Sequence, residues 1–248
     1  MQHLLTNYQD RTDCLVTFPM NDGTIMRVDL RSYTEWTAFW SGRYDDEELK
    51  WIASQLGDRP VILDVGANIG FYSVSLGVIA RRRSGRVYSF EPVPSNFDRL
   101  SWLIEQNQLT EVVTAYRIAL GCRDEEVTLY LDTDDAETEN AVAKPCRLNG
   151  RECTASMTSL DSFVNEHPIS ACSAIKVDVE GGELAFLQGA RAFIANHRPL
   201  LFVELNHYWM GRFGWTEAEL MSELAPCGYY VLRKTGKNGI FNVALAAR

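Results

Sequence analysis

Alternating apolar and polar positions open the chain. The runs CLVTF (residues 14–18) and TIMRVDL (24–30) flank Asn21-Asp22-Gly23, a pattern that predicts a β-hairpin. The period then lengthens: across residues 46–56, Leu49, Ile52, Ala53 and Leu56 stand at i, i+3, i+4 and i+7, one apolar face of a helix. Trp36, Phe39 and Trp40 share helical spacing and read as core. Residues 1–57 are therefore expected to form an N-terminal cap of hairpin and helix, part of the same domain as residues 58–248.

From Pro60 onward, strand-like and helix-like stretches alternate. Residues 61–65 and 86–90 read as strands. A helix is predicted over 69–80, and another opens with Ser95 as N-cap and Asp98 three residues later, burying Phe97, Leu100 and Ile104. Further strands are expected at 112–118, 127–131, 174–179 and 200–205, and helices at 183–195 and 216–224, the latter capped by Thr216. The acidic stretch 132–139, with the residues up to Cys153, reads as an excursion between strands. Such alternation implies a mostly parallel sheet with helices on both faces. At the C-terminal end, residues 229–234 and 240–245 are joined only through Lys237-Asn238-Gly239. So short a turn makes them antiparallel, because a parallel return needs a crossover of about a dozen residues. A doubly wound dehydrogenase sheet has no need of that hairpin, whereas a methyltransferase sheet, with its seventh strand antiparallel to the sixth, requires it.

Composition narrows the function classes. With 248 residues, 46% hydrophobic and 23% charged, the chain suits one globular domain. Thirty-three acidic residues against 24 basic ones give a formal charge of −9, which disfavours nucleic acid and anionic membranes as partners. Six cysteines without any C-x-x-C pair predict neither a zinc site nor a disulfide framework, in keeping with a reducing cytoplasm. No apolar run reaches the roughly 20 residues of a membrane span. The expectation is a cytoplasmic protein whose oligomeric state the sequence leaves open.

Three polar constellations fall at predicted strand ends. Asp64-Val-Gly66-Ala-Asn68-Ile-Gly70 marks a strand-to-helix turn where glycines permit close approach of a ligand to backbone N–H groups. Glu91 ends the next strand, 25 residues after Gly66, near the spacing at which a carboxylate meets ribose hydroxyls. In residues 175–183, period two sets Lys176, Asp178 and Glu180 on one face, so a buried Lys176–Asp178 ion pair is the plain structural alternative to a catalytic role. Residues 202–207 end in Glu204, Asn206 and His207. Ligands bind outside the carboxyl ends of strands in open α/β sheets, where Asp64, Glu91, Glu180 and His207 converge. The aromatic residues Tyr208, Trp209, Phe213 and Trp215 stand just beyond, as candidate pocket lining. His3, His167, His197 and the basic helix end Arg81-Arg82-Arg83 receive no chemistry.

The ordered motifs resemble the FkbM family of S-adenosylmethionine-dependent methyltransferases. They are Gly42-x-Tyr44, DVGANIG (64–70), FEPVPSNF (90–97), Thr158-Ser-Leu160-Asp161, IKVDVEGGE (175–183), Leu187-x-Gly189-Ala190 and Glu204-x-Asn206. The resemblance implies a Rossmann-like methyltransferase fold and O-methylation of a hydroxyl on a sugar or polyketide-type natural product. It implies that Asp64, Gly66, Asn68 and Gly70 hold the methionine part of S-adenosylmethionine, Glu91 the ribose, and the stretch around Ala119 the adenine. Asp178, Glu180, Glu204 and His207 would then face the methyl group and the acceptor, with His207 or a carboxylate as base. Mg²⁺ or a similar divalent cation on the carboxylates is the less favoured alternative, and no residue is assigned to a metal. The rival readings are a nicotinamide-dependent oxidoreductase and a degenerate methyltransferase fold serving as an interaction module.

Overall fold

The computed structural model describes residues 14–131, 141–143 and 152–248. In the predicted hairpin, β1 (Leu15–Pro19) and β2 (Ile25–Asp29) pair antiparallel, with Leu15 opposite Asp29. Asp22 Oδ1 closes the turn by accepting from Thr24 N (3.0 Å) and Thr24 Oγ1 (2.6 Å). Helix α1 (Tyr33–Ser41) follows, capped by Ser32, whose side chain accepts from Glu35 N. Then comes α2 (Asp46–Gln55), which buries Leu49 and Ile52 of the expected face. Trp40 departs from the core reading. It is 66% exposed, while Trp36 and Phe39 pack half-buried against the core cluster.

The main sheet starts with β3 (Val61–Val65), α3 (Phe71–Arg82), β4 (Arg86–Phe90), α4 (Pro94–Gln106) and β5 (Val113–Tyr116). Ser95 is not the cap of α4: Val93 is, and Pro94, whose ring presets the helical φ, opens the helix one residue before Ser95. The predicted strand 112–118 breaks after Tyr116, and its continuation enters a second sheet. That sheet holds β6 (Ala119–Gly121), β7 (Glu125–Leu131), β8 (Ala141–Val142) and β9 (Glu152–Ser159) in the order β6-β9-β7-β8. Residues 127–131 therefore leave the main sheet, and the expected excursion ends in β9. Residues 132–139 lie outside the described residues.

After β9 come α5 (Leu160–Glu166), β10 (Ala174–Val177), α6 (Glu183–Gly189), α7 (Arg191–His197), β11 (Leu200–Asn206), α8 (His207–Phe213), α9 (Glu217–Leu224), β12 (Tyr229–Lys237) and β13 (Ile240–Ala247). The single helix expected over 183–195 is two, because Asp161 caps α7 afresh, accepting from Ala192 N (2.9 Å) and Phe193 N (2.8 Å). Thr216 and Glu219 form the full capping box of α9.

The seven strands run in the order β12-β13-β11-β10-β3-β4-β5. All neighbours are parallel except β13, which is antiparallel to both β11 and β12. Asn238 and Gly239, at φ +57° and +87°, supply the two left-handed positions that a two-residue hairpin turn demands. The sheet's two faces bury separate clusters. Leu63, Val65, Ile175, Val177, Leu201 and Val203 meet α5, α6, α7 and α9. Ile62, Ala174 and Phe202 meet α2, α3, α4 and the hairpin. Ile25 N donates to Asn107 Oδ1 (2.7 Å) and Asn107 Nδ2 to Ile25 O (2.8 Å), while Arg99 of α4 pairs with buried Glu35 of α1. These contacts seat the hairpin and α1 on the α/β body. No helix of the described residues is long and apolar enough to cross a membrane.

Candidate active site

The turn after β3 owes its shape to backbone crowding. Gly66 sits at φ +79°, and a Cβ there would lie 1.8 Å from the carbonyl oxygen of Asp178 on the neighbouring strand end. No other residue fits. Gly66 N and Ala67 N both donate to Phe90 O (3.0 Å each), Asn68 N to Glu91 Oε2 (2.7 Å), Ile69 N to Asn68 Oδ1 (2.7 Å) and Gly70 N to Ala67 O (2.9 Å). All five N–H groups of this turn are thus engaged within the protein. Glu91 is 4% exposed, and its other oxygen accepts from Val93 N (2.9 Å). Burial pushes its carboxyl up to about 7 in spite of these donors and of the Asn96 side chain.

Beneath the turn a polar row crosses one face of the sheet. Register aligns Ser89, Asp64 and Lys176 on β4, β3 and β10. Asp64 is fully buried; Ser73 Oγ donates to its Oδ2 (2.6 Å), and its Oδ1 has no hydrogen-bond partner. Burial raises the Asp64 carboxyl, against the opposing pull of the nearby Lys176. Lys176 Nζ bonds Asp178 Oδ2 at 2.8 Å and lies 4.5 Å from the Tyr72 ring centre. Burial works against its charge, but Asp178 and Asp64 outweigh the burial and hold the ammonium above the ordinary lysine range. The plain alternative for this pair is therefore present, and it lies directly under the cleft.

Val177 aligns with Val203, so Asp178 and Glu204 follow at adjacent strand ends. The Asp178 charge, then burial, raises Glu204 to about 8, and burial followed by the same charge lifts Glu180 well above its usual range. Glu180 stands at φ +49°, a left-handed conformation that costs a non-glycine residue roughly 1 kcal/mol. Glu183 is structural: its Oε1 accepts from Val179 N (3.2 Å) and Gly181 N (3.0 Å) and so fixes that turn.

These strand ends open into one cleft of about 590 Å³. Its floor carries Gly66, Asn68 and Glu91; Ile118, Ala119 and Leu120 form one side, and Asp178, Glu180, Glu204 and Asn206 another. Trp209 and Phe213 of α8 and Val127, Leu129 and Met157 of the second sheet complete the lining. Asp64 and Gly70 support the turn from below and are not part of the lining. His207 does not reach the cleft: Asn206 Oδ1 caps α8 by accepting from Tyr208 N (3.1 Å), which leaves His207 exposed and turned toward Phe241. Tyr208 points to solvent, and Trp215 is buried behind the wall, donating Nε1–H to Gly181 O (2.8 Å).

Residues 64–231, about two thirds of the chain, match the methyltransferase FkbM domain. The chain belongs to the FkbM methyltransferase family. A relative, the hexuronic acid methyltransferase AglP of Haloferax volcanii, is 25% identical to this FkbM protein over 147 residues, 59% of the chain and 56% of AglP. The chain thus spans little more than half of that relative. The methyltransferase FkbM of Methylobacillus flagellatus KT superposes with a TM-score of 0.54 at 21% identity, covering 78% of this chain and 44% of that one. An rRNA methylase of Streptococcus thermophilus gives 0.51 at 10% identity, over 83% and 96%. At these identities the structures share the fold. Within this FkbM protein, sequence reasoning missed the lining of Val127, Leu129 and Met157, although Met157 pairs directly with Ala119. It met Tyr44, stacked 4.1 Å from Phe71 at the cleft edge, only through the Gly42-x-Tyr44 motif.

Proposed function

We propose that this FkbM methyltransferase methylates a hydroxyl of a small molecule, a sugar or polyketide-type natural product, with S-adenosylmethionine as donor. The observation that carries the reading is the make-up of one cleft. A buried carboxylate at the end of β4 lies beside the apolar stretch Ile118-Ala119-Leu120, and carboxylates gather at the ends of β10 and β11. A carboxylate offers about four acceptor directions, so Glu91 keeps capacity for ribose hydroxyls beside its N–H donors. The turn around Gly66 and Asn68 would hold the methionine part, supported from beneath by Asp64, and Ile118 to Leu120 the adenine. A pyrophosphate needs free N–H groups at this turn; their engagement within the protein disfavours a nicotinamide dinucleotide.

S-adenosylmethionine supplies its methyl group on a sulfonium, so positioning rather than a protein nucleophile carries the acceleration. Asp178, which Lys176 bonds at 2.8 Å, would take the hydroxyl proton, and Glu204 at the adjacent strand end would hold the acceptor oxygen. Trp209 and Phe213 would exclude water and offer flat apolar faces to a ring. Among the described residues, no three His, Cys, Asp or Glu side chains converge as a metal-ligand set; the base in this reading is a carboxylate of the chain. The hexuronic acid in the relative's name supports a sugar.

The reading is tested by calorimetry with S-adenosylmethionine and by transfer of a labelled methyl group to sugars, macrolides and RNA, with and without EDTA. The expected result is micromolar donor binding and labelling of a sugar or macrolide that survives EDTA. Labelling of RNA alone would reject the acceptor class, and loss of activity in EDTA restored by Mg²⁺ would move the carboxylates to metal ligation.

A further inference from the structure

Five carboxylates line the cleft, namely Glu91, Glu125, Asp178, Glu180 and Glu204, and among the described residues no lysine, arginine or histidine does. Three of the five are already occupied. Lys176 bonds Asp178 and Arg123 bonds Glu125, each at 2.8 Å, while the N–H groups of Asn68 and Val93 occupy Glu91. Glu180 and Glu204 make no ion pair among the described residues. S-adenosylmethionine carries two positive charges and one negative, so a bound donor supplies a single net counter-charge to a cleft whose crowded glutamates otherwise hold their protons. Carboxylates grouped in a half-buried cleft are stabilised by a cation and penalised by a further anion.

A second feature points the same way. Gly181, at φ +96°, lies so close under α8 that a Cβ would meet the Phe213 ring at 2.5 Å and Trp209 Cβ at 3.1 Å. Trp215 fastens the same turn from behind through its bond to Gly181 O. The aromatic wall and the turn presenting Glu180 are thus one packed unit. Aromatic faces beside carboxylates match a saturated ring bearing an ammonium group, through ring contact, cation–π attraction and ion pairing together.

We infer that the acceptor is a cationic hydroxylated molecule, an amino sugar or aminated glycoside, whose ammonium lies between Glu180, Glu204 and the Trp209–Phe213 wall while a neighbouring hydroxyl meets Asp178. This assignment rests on the methyltransferase reading of the same cleft. The upward displacement of both glutamates agrees with it, since an arriving ammonium supplies the missing counter-charge.

The test uses the whole chain saturated with S-adenosylhomocysteine and titrated with methyl glucosaminide, methyl N-acetylglucosaminide and methyl glucuronide under saturation-transfer NMR. The amino sugar is expected to bind about tenfold tighter than either of the others, the scale of a charge-assisted contact. In the Glu180→Gln, Glu204→Gln double variant this preference should vanish, while S-adenosylhomocysteine binds within about twofold of the parent, which also verifies the fold. Equal or tighter binding of the acetylated or acidic sugar overturns the inference, as does no binding of the amino sugar or a preference that persists in the variant. If neither S-adenosylmethionine nor S-adenosylhomocysteine binds, the methyltransferase reading fails by itself, and titration of the three sugars without nucleoside still decides the charge preference.

Discussion

The two ends of the cleft treat their polar groups in opposite ways. Around Gly66 and Glu91 every backbone N–H of the turn has an acceptor, and both carboxylate oxygens of Glu91 are held by backbone donors. At the ends of β10 and β11, three carboxylates crowd together and one buried ammonium bonds Asp178 alone. One end is finished before any ligand arrives. The other crowds carboxylates that hold their protons until a cation takes the protons' place. In the proposed reading, the preorganised end would take the common methyl donor, and the unbalanced end would discriminate acceptors.

The sharpest way to break this contrast is Gly66→Ala. The added Cβ collides with Asp178 O and the backbone is left-handed, so a loss of about 4 kcal/mol in stability is expected by denaturant unfolding. A loss below about 1 kcal/mol would mean that the turn yields and is not preformed. Next is Lys176→Met, which leaves Asp178 and Asp64 without their cation and should destabilise by about 3 kcal/mol. If this variant were as stable as the parent, the acidic end would need no internal counter-charge.

At the finished end, Glu91→Ala should weaken S-adenosylmethionine binding by about 1.5–3 kcal/mol in calorimetry. Unchanged affinity with the fold intact would remove Glu91 from the donor site. Acid–base linkage gives a smaller and broader effect. Glu91 and Glu183, raised to about 7, and Glu204, raised to about 8, retain protons in the folded chain that the unfolded chain has released. Folded-state values above unfolded ones make the ligand-free protein lose stability as pH rises from about 5 to 8, with the midpoint of thermal unfolding dropping by at least about 3 °C. A midpoint rising over that interval would contradict the burial assigned to these groups. The smallest effect belongs to His207→Ala, whose side chain lies outside the cleft: turnover is expected within about twofold of the parent and stability within about 0.5 kcal/mol. A hundredfold loss of turnover would return the base to α8.

What was legible in the sequence follows the same division. The turn after β3 is written in a contiguous strand, turn and helix, so spacing brought Gly66, Asn68 and Glu91 to one set of strand ends, where the structure has them line the cleft. Period two placed Lys176 with Asp178, and the Asn238-Gly239 turn gave the antiparallel hairpin. The rest of the cleft is assembled from distant pieces. Glu152–Ser159 is small and polar, with too little alternation to announce β9, although it carries Met157 into the cleft wall. Neighbouring residues were the hardest to separate: whether Asn206 or His207 faces the ligand depends on which residue caps α8. Pro94 against Ser95 is the same ambiguity at α4, again decided by the first helical position.

The contact between Gly66 and the Asp178 carbonyl joins the two ends mechanically. With no slack between them, a ligand that stiffens the turn after β3 also stiffens the segment that carries Asp178 and leads to Glu180. Occupancy at one end then lowers the ordering required at the other, and thermodynamic linkage makes the effect mutual. Donor and acceptor should therefore enter with positive cooperativity, and the nucleoside product should loosen its hold once the methylated acceptor departs.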